Sequence, residues 1–223
     1  HFTVEDEADF GDDLDIITSF KKKGLSSIQI YHDYDTRYFS QNKVSSDGRE
    51  LFQRMQDNDV ILDLSHLQGE SLTAILRGFN GRKIVSHVPC SELLSPSHYR
   101  RANALTDEEL RECNAELYGV PFLDDLVSKD SYYKSKDRNA KVEDIRDHTL
   151  RMCDVVGVNK VALGPDFFDY NSSFLKNIEI KPVETMDTPV GIMHLYDLLI
   201  ESGLSISEVE NIFYKNARRV FFR

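Results

Sequence analysis

The sequence predicts an α/β fold in which parallel strands alternate with helices. Short, branched apolar runs of strand length are each followed by a segment whose apolar residues have helical spacing. Repeated strand-then-helix order is typical of a parallel sheet with right-handed crossovers. Six such strands are visible, and a closed barrel of this type needs eight. The prediction is therefore a TIM (β/α)8 barrel that lacks its first strands in this chain, with an open sheet as the alternative.

The predicted strands are the runs richest in branched and aromatic residues. Two of them, Val60-Ile61-Leu62-Asp63-Leu64-Ser65 and Lys160-Val161-Ala162-Leu163-Gly164, are almost wholly apolar, as expected of strands covered on both faces. In chain order, the six predicted strands are residues 2–5, 27–32, 60–65, 84–86, 117–122 and 160–164.

The predicted helices are placed by periodicity and by capping signals. Leu14, Ile17 and Phe20 share one helical face before Gly24. Thr106 with Glu109 three residues on forms a capping box. In chain order, the predicted helices are residues 12–23, a helix that begins at 47, and residues 69–79, 106–116, 142–156, 190–201 and 207–221, the last with Ser205 or Ser207 as its cap.

Length, charge and cysteine content limit the class of protein. The 223 residues show no shift in composition that would divide them, so we expect one barrel domain over residues 1–223, the C-terminal two-thirds of a complete barrel. A formal charge of −11 argues against a nucleic-acid partner. No apolar run is long enough to cross a bilayer, and three scattered cysteines fit reduced thiols, so we expect a cytoplasmic protein.

Ionisable residues stand at the carboxyl ends of five of the six predicted strands. They are Glu5, His32, His66, His87 and Asp166. A lone histidine of this kind is more often a hydrogen-bonded structural residue. Five strands that all end on such groups are hard to explain by folding alone, because desolvating these groups costs stability unless they bind something. In a parallel barrel the carboxyl ends of the strands share one face, where active sites lie.

This set of residue types points to metal-assisted hydrolysis. Two neutral imidazoles, His66 and His87, with the carboxylate of Glu5 suit zinc and leave a position for water. A further histidine and a further carboxylate, His32 and Asp166, can stabilise charge and transfer protons.

The sequence resembles the membrane (renal) dipeptidases, the M19 metallopeptidases. The resemblance follows the family's order over nearly the whole chain, and the spacing from Glu5 to His32 equals the family's. The matching stretches are Val4-Glu5, residues 24–32, Gly48-Arg49-Glu50-Leu51, Ile61-Leu62-Asp63-Leu64-Ser65-His66, Ile84-Val85-Ser86-His87, Leu105-Thr106-Asp107-Glu108, Val155-Val156-Gly157-Val158, Gly164-Pro165-Asp166-Phe167 and Asn216-Ala217-Arg218-Arg219-Val220-Phe221.

The resemblance implies a barrel of the metal-dependent hydrolase type with a centre of two Zn²⁺ ions. Glu5 matches the carboxylate that bridges both metals, and His66 and His87 match ligands of the second metal. By the same resemblance, His32 lies beside the scissile carbonyl, and Asp166 handles the proton of the attacking water and of the leaving amine. A metal-bound hydroxide then cleaves the peptide bond of a dipeptide or a related small amide.

The resemblance also implies a substrate clamp and a set of partners. In the family, an arginine just before an asparagine binds the substrate carboxylate, and here Arg100 or Arg101 is the candidate. The predicted partners are a small dipeptide substrate and a second copy of the chain in a homodimer, with no nucleic acid and no transmembrane segment.

Several departures from the family pattern keep alternatives open. The family's His-x-Asp pair for the first metal has no equivalent here, so the chain either keeps one zinc or has its centre completed by residues outside this sequence. Asp6 and Glu7 replace glycines, and Phe168 interrupts the family's Asp-Phe-Asp-Gly. The second reading is a catalytically silent barrel that binds zinc or a peptide-like ligand. A third, an unrelated amidohydrolase, would require a lysine at a strand end, which is not seen.

Overall fold

The parallel sheet is the framework that positions the site. The computed structural model describes residues 2–4, 10–11, 13–32, 35–98, 100–129, 140–167 and 182–222. Its strands are β1 (Phe2–Val4), β2 (Leu25–Gln29), β3 (Phe39–Ser40), β4 (Lys43–Val44), β5 (Ile61–Asp63), β6 (Lys83–Ile84), β7 (Tyr118–Val120) and β8 (Val161–Leu163).

Six of these strands form the predicted parallel arrangement. The order β1-β2-β5-β6 is parallel throughout, and β7 pairs with β8 in parallel. A parallel bridge between Val85 and Tyr118 joins the two groups. All six carboxyl ends therefore lie at one edge of a continuous curved sheet, which is the arrangement that the strand-end pattern requires.

The helices lie between the strands in the predicted order. They are α1 (Ile16–Lys22), α2 (Ser46–Asp57), α3 (Gly69–Gly78), α4 (Asp107–Cys113), α5 (Asp124–Val127), α6 (Val142–Val156), α7 (Pro189–Glu201), α8 (Ile206–Glu210) and α9 (Asn216–Phe221), with a π-helical segment at Asn211–Lys215 and 3-10 turns at Ser91–Leu93, Arg101–Asn103 and Val158–Lys160.

Local capping explains where several helices begin. The capping box at α4 is present as predicted: Thr106 accepts a hydrogen bond from the Glu109 backbone N–H, and the Glu109 carboxylate accepts one from the Thr106 N–H. Ser205, one of the two predicted caps, forms the same box with Glu208 at α8. At α2, Ser45 accepts from the Gly48 N–H.

Three local features differ from the prediction. The loop predicted over residues 33–46 contains the antiparallel β3–β4 hairpin, whose turn residues Gln41 and Asn42 have positive φ angles of 49° and 56°. The short helix α5 was not predicted. The single helix predicted over residues 207–221 contains the π-helical segment, after which the buried Asn216 side chain donates to the carbonyls of Val158 and Val161.

The three strands that lead to the histidines end earlier than predicted, and so do β7 and β8. β2 ends at Gln29, β5 at Asp63 and β6 at Ile84, so each histidine lies three residues beyond the last strand residue. For β5 and β6 the Asp63 carboxylate gives the physical reason, because its Oδ1 accepts the backbone N–H groups of Ser65 and Ser86. These donors are therefore lost to strand pairing, and the histidines lie in turns above the sheet.

Apolar residues fill both faces of the sheet. The larger core lies between the strands and the helices and includes Ile28, Leu62 and Val120. A smaller cluster lies on the other face, inside the curve of the sheet. Its members are Ile61, Ile84, Leu117, Ala162 and Val220 of α9. The helix that ends the described chain thus closes the sheet at the end opposite the histidines.

The three cysteines lie in buried or half-buried positions. Cys90, Cys113 and Cys153 are all free. Burial raises the pKa of Cys113 and of Cys153 to about 12 and raises that of Cys90 as well, which disfavours the thiolate form of all three. In the part of the chain that the structure describes, no helix is both long and apolar enough to cross a membrane.

Candidate metal centre

His66 and His87 meet at the carboxyl edge of the sheet. His66 follows β5 and His87 follows β6, and these two strands are neighbours. The two Nε2 atoms lie 3.0 Å apart, and the ring centroids lie 5.1 Å apart at 74°. His87 is buried and His66 is half-buried. The two imidazoles that the sequence predicts as metal ligands therefore face each other through their Nε2 atoms.

Asp166 approaches the same point from the far end of the sheet. It follows β8, and its Oδ2 lies 4.0 Å from His87 Nε2. Both Asp166 and His66 have positive φ angles, 56° and 69°, which are uncommon for residues other than glycine. Such conformations persist where the surroundings hold them, and they cluster at functional sites.

His32 completes the group of described residues at this face. Its ring stacks beside that of His66, with the centroids 4.1 Å apart and the planes tilted by 35°. Three of the predicted strand-end residues, His32, His66 and His87, are thus brought into contact, and Asp166 lies beside them. Glu5, the predicted bridging ligand, lies outside the described residues.

The donor atoms at this face suit a zinc ion. Two imidazole nitrogens bound tetrahedrally at 2.0–2.1 Å would lie roughly 3.3 Å apart, which is close to the 3.0 Å between the two Nε2 atoms. Within the described residues, no group of three histidine, cysteine or acidic side chains is assembled as a complete metal site. The distance between their Nε2 atoms thus allows His66 and His87 to act as two ligands of a zinc site, and further ligands would have to come from other residues.

A chain of hydrogen bonds supports His87 from below. Asp63 Oδ1 accepts from Ser65 Oγ at 2.9 Å, Ser65 Oγ lies 3.0 Å from Ser86 Oγ, and Ser86 Oγ lies 2.9 Å from His87 Nδ1. The His87 backbone N–H also donates to Ser65 Oγ. Partners of this kind, behind a ligating histidine, fix the orientation of its ring.

Two glycines leave room for the turn that carries His87. A Cβ atom on Gly119 would lie 1.7 Å from the Ser86 carbonyl oxygen, and one on Gly164 would lie 1.9 Å from it. Any side chain at either position would therefore displace the Ser86 backbone. Gly119 and Gly164 belong to β7 and to the turn after β8, so their lack of side chains admits the turn into the curve of the sheet.

The two arginine candidates for substrate binding lie in the long loop after β6. Arg100 Nε donates to Asp125 Oδ2 at 3.0 Å, and the Asp125 side chain is only 1% exposed. Arg101 Nη1 donates to the carbonyls of Ser91 and Leu94. Both guanidinium groups therefore have partners within the protein, and Arg101 ties the loop to itself.

Sequence reasoning missed the residues that support the histidines. The sequence predicts Asp63, Ser65 and Ser86 only as parts of strands and predicts no role for Asp125. One signal was available: Asp63 is a carboxylate within an apolar strand, and such a residue is rarely buried without a specific set of donors.

Comparison with known families relates the whole chain to a family of metallopeptidases. A family model described as membrane dipeptidase (peptidase family M19) matches residues 1–223. A curated relative, dipeptidase tcpJ of Claviceps purpurea, is 24% identical over 218 residues, which are 94% of this chain and 47% of the relative. The chain thus spans about half the length of that relative.

Solved structures share the fold. An amidohydrolase from Pseudomonas aeruginosa matches with a TM-score of 0.79 and 18% identity, covering 98% of this chain and 70% of that one. A metallopeptidase from Rhodobacter sphaeroides, liganded with a phosphinate mimic of the dipeptide L-Ala-D-Ala, matches with a TM-score of 0.78 and 19% identity, covering 99% and 62%. The predicted α/β fold of the TIM-barrel class is confirmed.

Proposed function

Because this chain belongs to the membrane dipeptidase family, peptidase family M19, we propose that it hydrolyses the peptide bond of dipeptides or related small amides at a zinc centre. The observation that carries the proposal is the convergence of His66 Nε2 and His87 Nε2, 3.0 Å apart, beside Asp166. A relative that binds a mimic of L-Ala-D-Ala supports a dipeptide as the substrate class.

The proposed zinc ligands are His66, His87 and Glu5. These residues would hold one zinc ion or two, and Glu5 would be shared between the two ions in the second case. A zinc ion, when bound, supplies a Lewis acid and lowers the pKa of a coordinated water.

The chain's own residues carry the proton transfers. Asp166, beside His87, accepts the proton of the attacking water and returns it to the leaving amine as the C–N bond breaks. His32, stacked on His66, donates a hydrogen bond to the carbonyl oxygen as negative charge develops on it.

The substrate carboxylate is proposed to bind one of two arginines. Arg100 and Arg101 follow β6 in a loop at the same edge of the sheet as the histidines. Arginine suits this role because its planar guanidinium can pair with a carboxylate through two hydrogen bonds. His32 would contact the carbonyl oxygen of the scissile bond, so the substrate would lie across the carboxyl edge of the sheet.

We also propose a domain organisation, a cellular compartment and an oligomeric state for the protein. Residues 1–223 form a single (β/α) barrel domain, which is supported by a large apolar core with buried residues from β2, β5, β7 and β8. Three free thiols are compatible with a reducing, cytoplasmic setting. A homodimer is proposed by family resemblance and is checked by the mass of the protein in solution.

A dipeptidase assay tests the proposal. The protein is equilibrated with zinc and given L-Ala-D-Ala and a panel of L,L-dipeptides, and release of free amino acids is measured with and without a chelator. We expect zinc-dependent hydrolysis. Asp166→Asn should lower kcat by about 10²–10⁴ while zinc binding is retained, and His194→Ala, a change on the exposed face of α7, should leave kcat unchanged.

A second candidate is a barrel that binds zinc or a peptide-like ligand without turnover. It is favoured by the two candidate substrate arginines, because the guanidinium groups of Arg100 and Arg101 both donate to partners within the protein. Zinc binding by His66 and His87 with no hydrolysis of any dipeptide would support this candidate over the enzyme.

A further inference from the structure

The hydrogen bonds below His87 have only one consistent direction. An ionised carboxylate can only accept, so the Ser65 hydroxyl proton points to Asp63 Oδ1, 2.9 Å away. A hydroxyl has one proton, so Ser65 Oγ can only accept in its 3.0 Å contact with Ser86 Oγ. Ser86 must therefore donate to Ser65. If neither hydroxyl placed its proton between the two oxygens, their lone pairs would repel each other.

The same reasoning fixes the proton on His87. Since the Ser86 hydroxyl proton points to Ser65, Ser86 Oγ can only accept from His87 Nδ1, 2.9 Å away. When the His87 ring is neutral it carries one proton, which is then on Nδ1, and its Nε2 bears a lone pair. In the metal-free protein, the 3.0 Å contact between the two Nε2 atoms is a hydrogen bond from His66 to His87.

We infer that Asp63, Ser65 and Ser86 are positioning residues that select the Nδ1-protonated tautomer of His87 and so aim its Nε2 lone pair at the proposed metal position. This inference deepens the proposed function and rests on His87 being a zinc ligand. Asp63 acts from below the site, through two serine hydroxyls.

Further hydrogen bonds and burial hold the Asp63 carboxylate and the two serine turns in place. Asp63 Oδ1 also accepts the backbone N–H groups of Ser65 and Ser86, at 3.1 and 3.0 Å, so it holds both turns in place. Asp63 and Ser65 are buried, with 7% and 1% exposure. A low-polarity environment strengthens such bonds and makes reversing them costly.

A second buried histidine supplies an internal reference. His148 Nδ1 accepts from the Cys90 backbone N–H at 2.9 Å, so its proton is on Nε2, which lies 3.2 Å from the Val127 carbonyl. The structure therefore predicts opposite tautomers for His87 and His148. Both can be read in one spectrum.

The test is a long-range ¹H–¹⁵N correlation spectrum of metal-free, ¹⁵N-histidine-labelled protein at pH 8. We expect His87 to be protonated on Nδ1 and His148 on Nε2. In Ser86→Ala, His87 should lose its preference for Nδ1 while His148 keeps its signal, which shows that the variant is folded. Ser65→Ala, which removes the acceptor for Ser86, is the second variant and should also weaken the preference.

Metal affinity supplies the second readout. We expect Ser86→Ala to raise the Kd for Zn²⁺ and for Co²⁺ by about 10–100-fold and Ser86→Thr, which keeps the hydroxyl, to restore most of it. Ser202→Ala removes a hydroxyl that donates to the Leu198 carbonyl in another part of the chain and should have no effect.

The inference is overturned if His87 is protonated on Nε2 in the unmodified protein. It is also overturned if Ser86→Ala changes neither the tautomer nor the Kd for zinc by more than about twofold. The spectrum needs neither metal nor substrate. A protein with the expected tautomers and no dipeptidase activity would therefore overturn the proposed function and leave this inference standing.

Discussion

The backbone carbonyl of Ser86 occupies the space that a side chain on Gly119 would need. A Cβ built on Gly119 lies 1.7 Å from that oxygen and 2.7 Å from its carbonyl carbon. Backbone atoms cannot move aside as the end of a flexible side chain can. The position of His87, the next residue, therefore depends on a glycine in a different strand.

Gly119→Ala should destabilise the protein and weaken the metal site together. Overpacking of this kind costs about 1–3 kcal/mol of unfolding free energy, and the shift of Ser86 should move His87 away from His66. Urea unfolding and zinc titration measure the two effects. Gly78→Ala is the matched control, since a Cβ there meets nothing closer than 3.4 Å. Equal stability and zinc affinity in both variants would contradict the packing argument.

His148 should make the protein less stable in mild acid. Burial lowers its pKa to about 4 from the ordinary 6.5. Between pH 4 and pH 6.5 the histidine is therefore protonated in the unfolded chain and neutral in the folded protein. Its contribution is fully present above pH 6.5 and is lost as the pH falls toward 4. The expected loss is on the order of 3 kcal/mol.

The variant His148→Gln isolates that contribution. Glutamine cannot titrate, so the difference in unfolding free energy between pH 7 and pH 4.5 should be smaller in the variant than in the unmodified protein. Urea unfolding at the two pH values gives the comparison. The same pH dependence in both proteins would show that His148 titrates normally.

The arginine that binds the substrate carboxylate can be identified by a conservative change. Arg100→Lys keeps a cation beside the buried Asp125 but loses the planar fork of the guanidinium. If Arg100 is the clamp, KM for a dipeptide should rise about tenfold or more with little change in kcat. Arg101→Lys is the matched comparison, because Arg101 donates to carbonyls of its own loop.

A dipeptide amide, which lacks the carboxylate, separates binding from loss of structure. Arg100→Lys should leave KM for the amide unchanged. An equal rise in KM for the dipeptide and its amide would rule out Arg100 as the carboxylate clamp, and the selective effect would then be expected from Arg101→Lys.

Signals local in sequence predicted the elements well. The helix predicted over residues 142–156 has those bounds, and the Thr106–Glu109 capping box is present. Both depend on residues within a few positions of one another. The β3–β4 hairpin, in contrast, lies in a polar stretch predicted as loop, and each of its strands is only two residues long.

The strand ends and the support of the site could not be predicted in the same way. The meeting of His66 and His87 followed from the rule that parallel strands share one carboxyl edge. The end of β5, in contrast, is set by the Asp63 carboxylate taking the N–H of Ser86, 23 positions away. Such a contact depends on the register of neighbouring strands, which apolar runs alone do not specify.

The zinc content of the purified protein tests the central claim most directly. The protein is equilibrated with zinc and desalted, and the metal is counted per chain for the unmodified protein and for His66→Ala, His87→Ala and His194→Ala. We expect at least about one zinc per chain in the unmodified protein and in His194→Ala, and loss of zinc in the other two. An unmodified protein without zinc, or full retention of zinc in both His66→Ala and His87→Ala, would contradict the account.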